Sequence, residues 1–239
     1  MGRTALLVHG AWHGAWAWDR VLARLHSAGV EASAIDLPGH GNDHAAFGDL
    51  HGDAACVRRE LDRLGREVVL VGHSYGGAVI TEAGDHPAVD HLVYVAAFAL
   101  DADESCVSAA TDSANRISHE GRPDLSSGIV VTADDSVILD PLVAAQCLYN
   151  DCDEQTVAWA LDRLGPQPFA TLQQEPAVVA WRSLPSTYVV CTDDMAVHPD
   201  LQRIMARRCG SVVEWATDHS PFLCRPDLVA GLLVELANS

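Results

Sequence analysis

The chain contains no lysine: all fifteen of its basic residues are arginines. Mechanisms that need an amine side chain are thereby excluded, among them Schiff-base and pyridoxal-phosphate chemistry, a P-loop lysine and a Ser-Lys dyad. Aromatic residues are scarce, at 6%, and no apolar run approaches the roughly 18 residues of a membrane span. The apolar run near the start, Ala5 to Val8, is too short for the core of a signal peptide. Seven cysteines form no C-x-x-C pair and no Cys/His cluster of zinc spacing. Reduced, mostly buried thiols are therefore expected, with no metal, no cofactor and a cytoplasmic location. Basic charge is also in deficit, 15 residues against 33 acidic ones for a net charge of −18. The resulting field repels phosphate backbones and anionic lipid heads, so neither nucleic acid nor a membrane surface is an expected partner.

What is present is ordinary globular material: 239 residues, 49% hydrophobic and 20% charged. That length suits one domain near the size at which a single core stops growing, or one domain carrying an insertion. Short β-branched runs recur at Thr4 to His9, Val30 to Leu37, Glu67 to His73, His91 to Phe98, Ser186 to Asp193 and Ser211 to Ala216. Between most of them lie stretches of helical period: Trp18 to Ala28, Phe47 to Leu64, Gly76 to His86, Pro199 to Arg208 and Pro226 to Ala237. This alternation predicts an α/β fold, with a mostly parallel six-stranded sheet and helices on both faces. Ligands of such sheets bind beyond the C-terminal strand ends. The interval between the fourth and fifth strands is too long for a crossover and contains helix-like pieces at Pro141 to Tyr149 and Asp153 to Leu164. A core of residues 1–99 and 185–239 with a helical cap at 100–184 accommodates it.

The chemistry gathers around Gly72-His73-Ser74-Tyr75-Gly76, a G-x-S-x-G motif between an apolar strand and a helical pattern. A strand-to-helix turn this tight needs glycine two residues either side of the serine, and it lifts Ser74 Oγ above the sheet. A serine hydroxyl is a poor nucleophile until a base takes its proton, so a downstream acid and histidine are required. His219 follows the sixth strand and is the candidate base; His198, before Pro199, reads as a helix-start residue. The fifth strand ends in Asp193-Asp194, and spacing alone does not separate the two. Asp218, adjacent to His219, cannot easily reach its Nδ1 and reads as a loop-ordering or surface carboxylate. Oxyanion donors are expected from the Tyr75 N–H and from the loop His9 to Gly14, whose glycines let backbone approach a substrate.

With these pieces in place, the chain resembles the α/β-hydrolase superfamily, and within it the branch of plant methylesterases and hydroxynitrile lyases with their bacterial relatives. The resemblance lies in Val8-His9-Gly10-Ala11-Trp12-His13-Gly14-Ala15-Trp16, Ile35-Asp36-Leu37, Gly72-His73-Ser74, Leu92 to Phe98 and Tyr188 to Arg203. It implies Asp194 as the triad acid, Ala11 and Tyr75 as oxyanion donors, a small-molecule ester or lactone as substrate, and a homodimer. The lyase members resemble one another in a Thr at the position of Gly10 and a Lys after the catalytic His, where this chain has Ser220. Ester hydrolysis is therefore implied over cyanohydrin cleavage. The substrate-facing candidates are Gly10, Trp12 and His13 on the first loop, Tyr149 and Trp181 on and after the cap, and Ser220.

The resulting expectation is a serine esterase for small-to-medium uncharged methyl or aryl esters or lactones. Two alternatives stand beside it: a lyase or biosynthetic cyclase using the same triad without an acyl-enzyme, and a non-catalytic ligand-binding protein on a hydrolase scaffold. Epoxide and haloalkane chemistry need an Asp at the elbow, where this chain has Ser74.

Overall fold

A computed structural model describes residues 2–65, 67–112, 117, 118, 120–133 and 135–239. In chain order the elements are β1 (Thr4–Val8), α1 (Asp19–Ser27), β2 (Ala32–Ile35), α2 (Leu50–Leu64), β3 (Val68–His73), α3 (Tyr75–Ala83) and β4 (Val89–Val95). Then come α4 (Cys106–Thr111), β5 (Ile129–Val131), β6 (Ser136–Leu139), α5 (Pro141–Leu148), α6 (Glu154–Leu161), β7 (Gln167–Pro168) and α7 (Phe169–Gln173). The chain closes with β8 (Ser186–Cys191), α8 (Pro199–Ala206), β9 (Ser211–Trp215), α9 (Pro221–Cys224) and α10 (Pro226–Ala237).

Six strands form one sheet in the order β2-β1-β3-β4-β8-β9, and all five pairings are parallel. Every residue of β1 and β3 is buried, which explains why both read as unbroken apolar runs: helices cover the sheet on either side. The chain steps outward from β1 to β2, then returns to place β3 on the opposite flank of β1. The strand order therefore reverses between β1 and β3, and the crevice beyond their carboxyl ends is where such sheets hold ligands. In register, Val8 pairs with Gly72 and Gly72 with Tyr94, so the loop after β1 and the turn after β3 emerge side by side.

The flanking helices carry local stop signals. Asp49 caps α2 by accepting from Gly52 N at 2.8 Å, and Gly65 ends it with φ +58°. His198 caps α8 through Nδ1, with Pro199 in the first turn, in keeping with its helix-start reading. All nine residues of α3 are buried, so the helix that follows Ser74 is enclosed on every side.

The segment between β4 and β8 differs from a purely helical cap. Alongside α4 to α7 it contains a three-stranded antiparallel sheet in the order β5-β6-β7. The sequence gives little notice of it. Val130 and Val131 are exposed and β7 has two residues, so no alternation of period two is long enough to register. Among the described residues no helix is long and apolar enough to cross a membrane.

Candidate active site

Ser74 sits between β3 and α3 with φ +51° and ψ −120°, a backbone conformation that costs a non-glycine residue on the order of 1–3 kcal/mol. The turn is held by three backbone bonds: Ser74 N to Val95 O at 3.3 Å, Gly77 N to Ser74 O at 2.9 Å and Phe98 N to Ser74 O at 3.1 Å. The two motif glycines permit the close approach. A Cβ on Gly72 would stand 2.4 Å from Gly76 O, and one on Gly76 would stand 2.6 Å from His9 O. No side chain fits at either place.

His219 is buried, and its Nδ1–H donates to Asp194 Oδ2 at 2.7 Å. That bond fixes the tautomer and leaves Nε2 as the ring's acceptor. Asp194 is fully buried and receives three further donors: Ala196 N at 2.7 Å and Val197 N at 2.9 Å on Oδ1, and Gln202 Nε2 at 2.7 Å on Oδ2. Its neighbour Asp193 is exposed. Only Asp194 of the adjacent pair meets the histidine.

His73, the residue before the serine, ties the two halves together. Its Nε2–H donates to the His219 carbonyl at 2.9 Å, and the two rings lie 4.5 Å apart between centroids. Phe222 stands against the same ring at 4.6 Å. Burial first, then the nearby His219 and His13, hold His73 well below the usual histidine pKa, so it acts as a neutral strut.

The loop after β1 brings Ala11 to the same crevice. His13 Nδ1–H donates to Ala11 O at 2.8 Å, while Tyr149 OH donates to His13 Nε2 at 2.8 Å. Burial pushes His13 down to about 4, consistent with a neutral ring used at both nitrogens. The next residue, Trp12, takes φ +65°, and the cap segment holds it at three points. Trp12 N donates to Gln167 Oε1 at 3.3 Å, its Nε1 to Val137 O at 3.1 Å, and Gly165 N donates to Trp12 O at 2.8 Å. Gln167 is itself fully buried, accepting from His40 Nε2 at 2.9 Å and donating to Thr171 Oγ1 at 2.8 Å. The Ala11–Trp12 peptide is therefore gripped at its carbonyl by His13 and at its N–H by Gln167. Tyr75 N opens α3, so it is among the N–H groups a helix leaves without an internal acceptor. The Tyr75 hydroxyl points elsewhere, donating to the buried Asp53 at 2.6 Å.

A cavity of about 790 Å³ lies over these groups, and Ala11, Trp12, His13, Ser74, Tyr75 and His219 all line it. Its wider walls are largely apolar, with Phe98, Val107, Leu148, Phe169, Leu172 and Met195 among them. Arg122 also faces it, and the Arg122 guanidinium donates to the Asp194 carbonyl.

Four expected substrate-facing residues are not on these walls, and each has other work. Gly10 is packed behind the loop against His73 and Ser74. Tyr149 holds His13 from the rear. Trp181 donates to Leu100 O at 2.8 Å beside Arg182 and Arg208. Ser220 is fully buried at the start of α9. Asp218 orders its loop, as expected, but from a fully buried position rather than at the surface. Three contributors escaped the sequence reading. Gln202 looks like a surface residue of an amphipathic helix, and Gln167 and Arg122 fall in stretches with no motif.

A serine on a strained turn at the reversal point of a parallel sheet, lining the same cavity as a histidine–carboxylate pair, defines an enzyme of the α/β class. The Alpha/beta hydrolase family model matches residues 5–232, and the chain belongs to that family. It is 30% identical to Alpha/beta hydrolase nvfD of Aspergillus novofumigatus, over 98% of this chain and 96% of that one. It is 29% identical to Methylesterase 7 of Arabidopsis thaliana, over 98% and 95% respectively. Among solved structures, a pyrethroid hydrolase from Sphingobium faniae JZ-2 shares the fold with a TM-score of 0.85 at 21% identity, covering 98% of this chain and 97% of that one.

Proposed function

We propose that the protein is a serine esterase that hydrolyses small-to-medium, uncharged carboxylic esters, methyl or aryl, or lactones. The observation that carries this reading is the 2.7 Å bond from His219 Nδ1 to Asp194, on a ring that faces the same cavity as Ser74. His219 Nε2 takes the proton of Ser74 as Oγ attacks the ester carbonyl, and Asp194 stabilises the imidazolium that forms. The tetrahedral oxyanion is received by the N–H groups of Ala11 and Tyr75, each such donor being worth about 3 kcal/mol in comparable sites. Return of the proton from His219 expels the alcohol, and water then attacks the acyl-enzyme with the same base. The apolar walls favour an uncharged acyl group, and the names of relatives such as Methylesterase 7 support ester chemistry.

The lyase reading gains nothing from the site. No lysine is present, and Gly10 has no space for a larger residue. The test is hydrolysis of short p-nitrophenyl and methyl esters by wild type and Ser74→Ala. A loss of about 10⁴-fold or more in kcat is expected, with fluorophosphonate labelling of wild type alone. Equal rates in the two proteins would remove Ser74 from the reaction.

A further inference from the structure

Outside the cavity, two thiols and a carboxylate converge. Cys152 lies in the turn between α5 and α6, Asp218 in the loop that carries His219, and Cys224 at the end of α9. Their Sγ and carboxylate oxygen atoms all lie within 4.8 Å of one another. Cys224 Sγ donates to Asp218 Oδ1 at 3.1 Å, and Cys152 Sγ to Oδ2 at 3.7 Å. Asp218 is fully buried, and two backbone donors fix its plane: Ser220 N on Oδ1 at 2.9 Å and Asp151 N on Oδ2 at 3.0 Å. Each oxygen thus has one position taken by the backbone and one presented to a thiol. Both cysteines are half-buried. None of the three residues lines the ester cavity.

We propose that Cys152, Asp218 and Cys224 form a binding site for a soft divalent cation of the zinc and cadmium kind, with water as a fourth ligand. Tetrahedral zinc takes sulfur at about 2.3 Å and carboxylate oxygen at about 2.0–2.2 Å, which spaces its ligands roughly 3.4–3.8 Å apart. The distances of 3.1 and 3.7 Å lie within a few tenths of an ångström of that. Binding replaces the two S–H protons with one cation: both thiols become thiolates, two protons pass to solvent, and no electron moves. Two thiolate ligands select against magnesium and calcium, which prefer oxygen. The ligands come from three separate segments, so occupancy ties the α5–α6 turn and α9 to the loop of His219.

The experiment is titration of the full chain with Cd²⁺, followed by the ultraviolet thiolate-to-cadmium charge-transfer band, proton release and thermal denaturation. One equivalent should saturate the band, release two protons and raise Tm, while Mg²⁺ does none of these. Cys152→Ser and Cys224→Ser should each weaken binding at least tenfold, and Cys56→Ser, on α2, should leave it unchanged. X-ray absorption of the zinc-loaded wild type gives an answer that does not depend on any variant folding, with two sulfur scatterers and light-atom ligands expected. No saturable binding, undiminished binding in the Cys152→Ser/Cys224→Ser double variant, or a zinc shell without two sulfurs would each overturn the proposal.

Discussion

Replacing Gly10 tests how tightly the floor of the site is built. An added Cβ would meet His73 Nδ1 at 2.7 Å, Ser74 Cβ at 2.9 Å and His73 Cε1 at 3.1 Å, where carbon contacts ordinarily stand at about 3.5–4.0 Å. Neither neighbour can retreat. The His73 ring is packed against His219 and Phe222 and bonded to the His219 carbonyl, and Ser74 is locked at positive φ by three backbone bonds. Overpacking of this kind costs about 1–3 kcal/mol, which for a domain of this size lowers Tm by roughly 2–12 °C. The displaced groups are Ser74, the proposed nucleophile, and, through His73, His219, the proposed base. A shift approaching 1 Å in either costs about 10²-fold. Gly10→Ala should therefore lose stability and at least tenfold in kcat, and Gly10→Thr more of both. Differential scanning fluorimetry and steady-state hydrolysis of a p-nitrophenyl ester read the two effects. A Gly10→Thr protein with unchanged Tm and kcat/KM would refute the packing argument, and with it the structural reason for setting a lyase-type threonine aside.

Asp194→Asn should lower kcat by about 10³- to 10⁴-fold, because an amide donor facing Nδ1 selects the wrong histidine tautomer; Asp193→Asn should stay within a few-fold, and parity between the two would contradict the assignment of the acid. Gln167→Leu frees the Trp12 N–H and should lower kcat tenfold or more with little change in KM, measured on the same ester; an unaltered kcat means the Ala11 loop holds its shape without the cap. Burial pushes Asp53 up to about 7 from an unfolded value near 3.8. A raised carboxyl pKa contributes stability that is full below pH 3.8 and lost as pH rises toward 7. Asp53→Asn should accordingly be more stable than wild type at pH 8, by about 1–4 kcal/mol, with the advantage vanishing near pH 4 in urea titrations; a pH-independent difference would show that Asp53 does not titrate in this window.

Much of the fold was legible because its strands are covered on both faces: β1 and β3 had to be continuous apolar runs. Ser74 could be read because its turn geometry demands glycines at fixed offsets, and His219 because it follows a strand in the required order. Asp193 and Asp194 are chemically identical in sequence. What separates them is that the turn after β8 sends one inward, onto the N–H groups of Ala196 and Val197, and leaves the other in water. The cap was least legible. Tyr149 and Trp181 are substrate-facing candidates by their place on and after the cap, but both spend their polar atoms bracing the scaffold. Gln202 is hidden because a polar residue of an amphipathic helix reads as surface, and Gln167 because a Gly-Pro-Gln-Pro stretch reads as plain loop, whereas each is a fully buried connector.

The hold of Gln167, Val137 and Gly165 on Trp12 makes the roof of the cavity a structural partner of its floor. Swinging that roof clear would break three hydrogen bonds and release a left-handed tryptophan one residue from the Ala11 amide. The stretch from β6 to β7 is thus fastened to the backbone that leads into Ala11, and any displacement of the one is felt by the other.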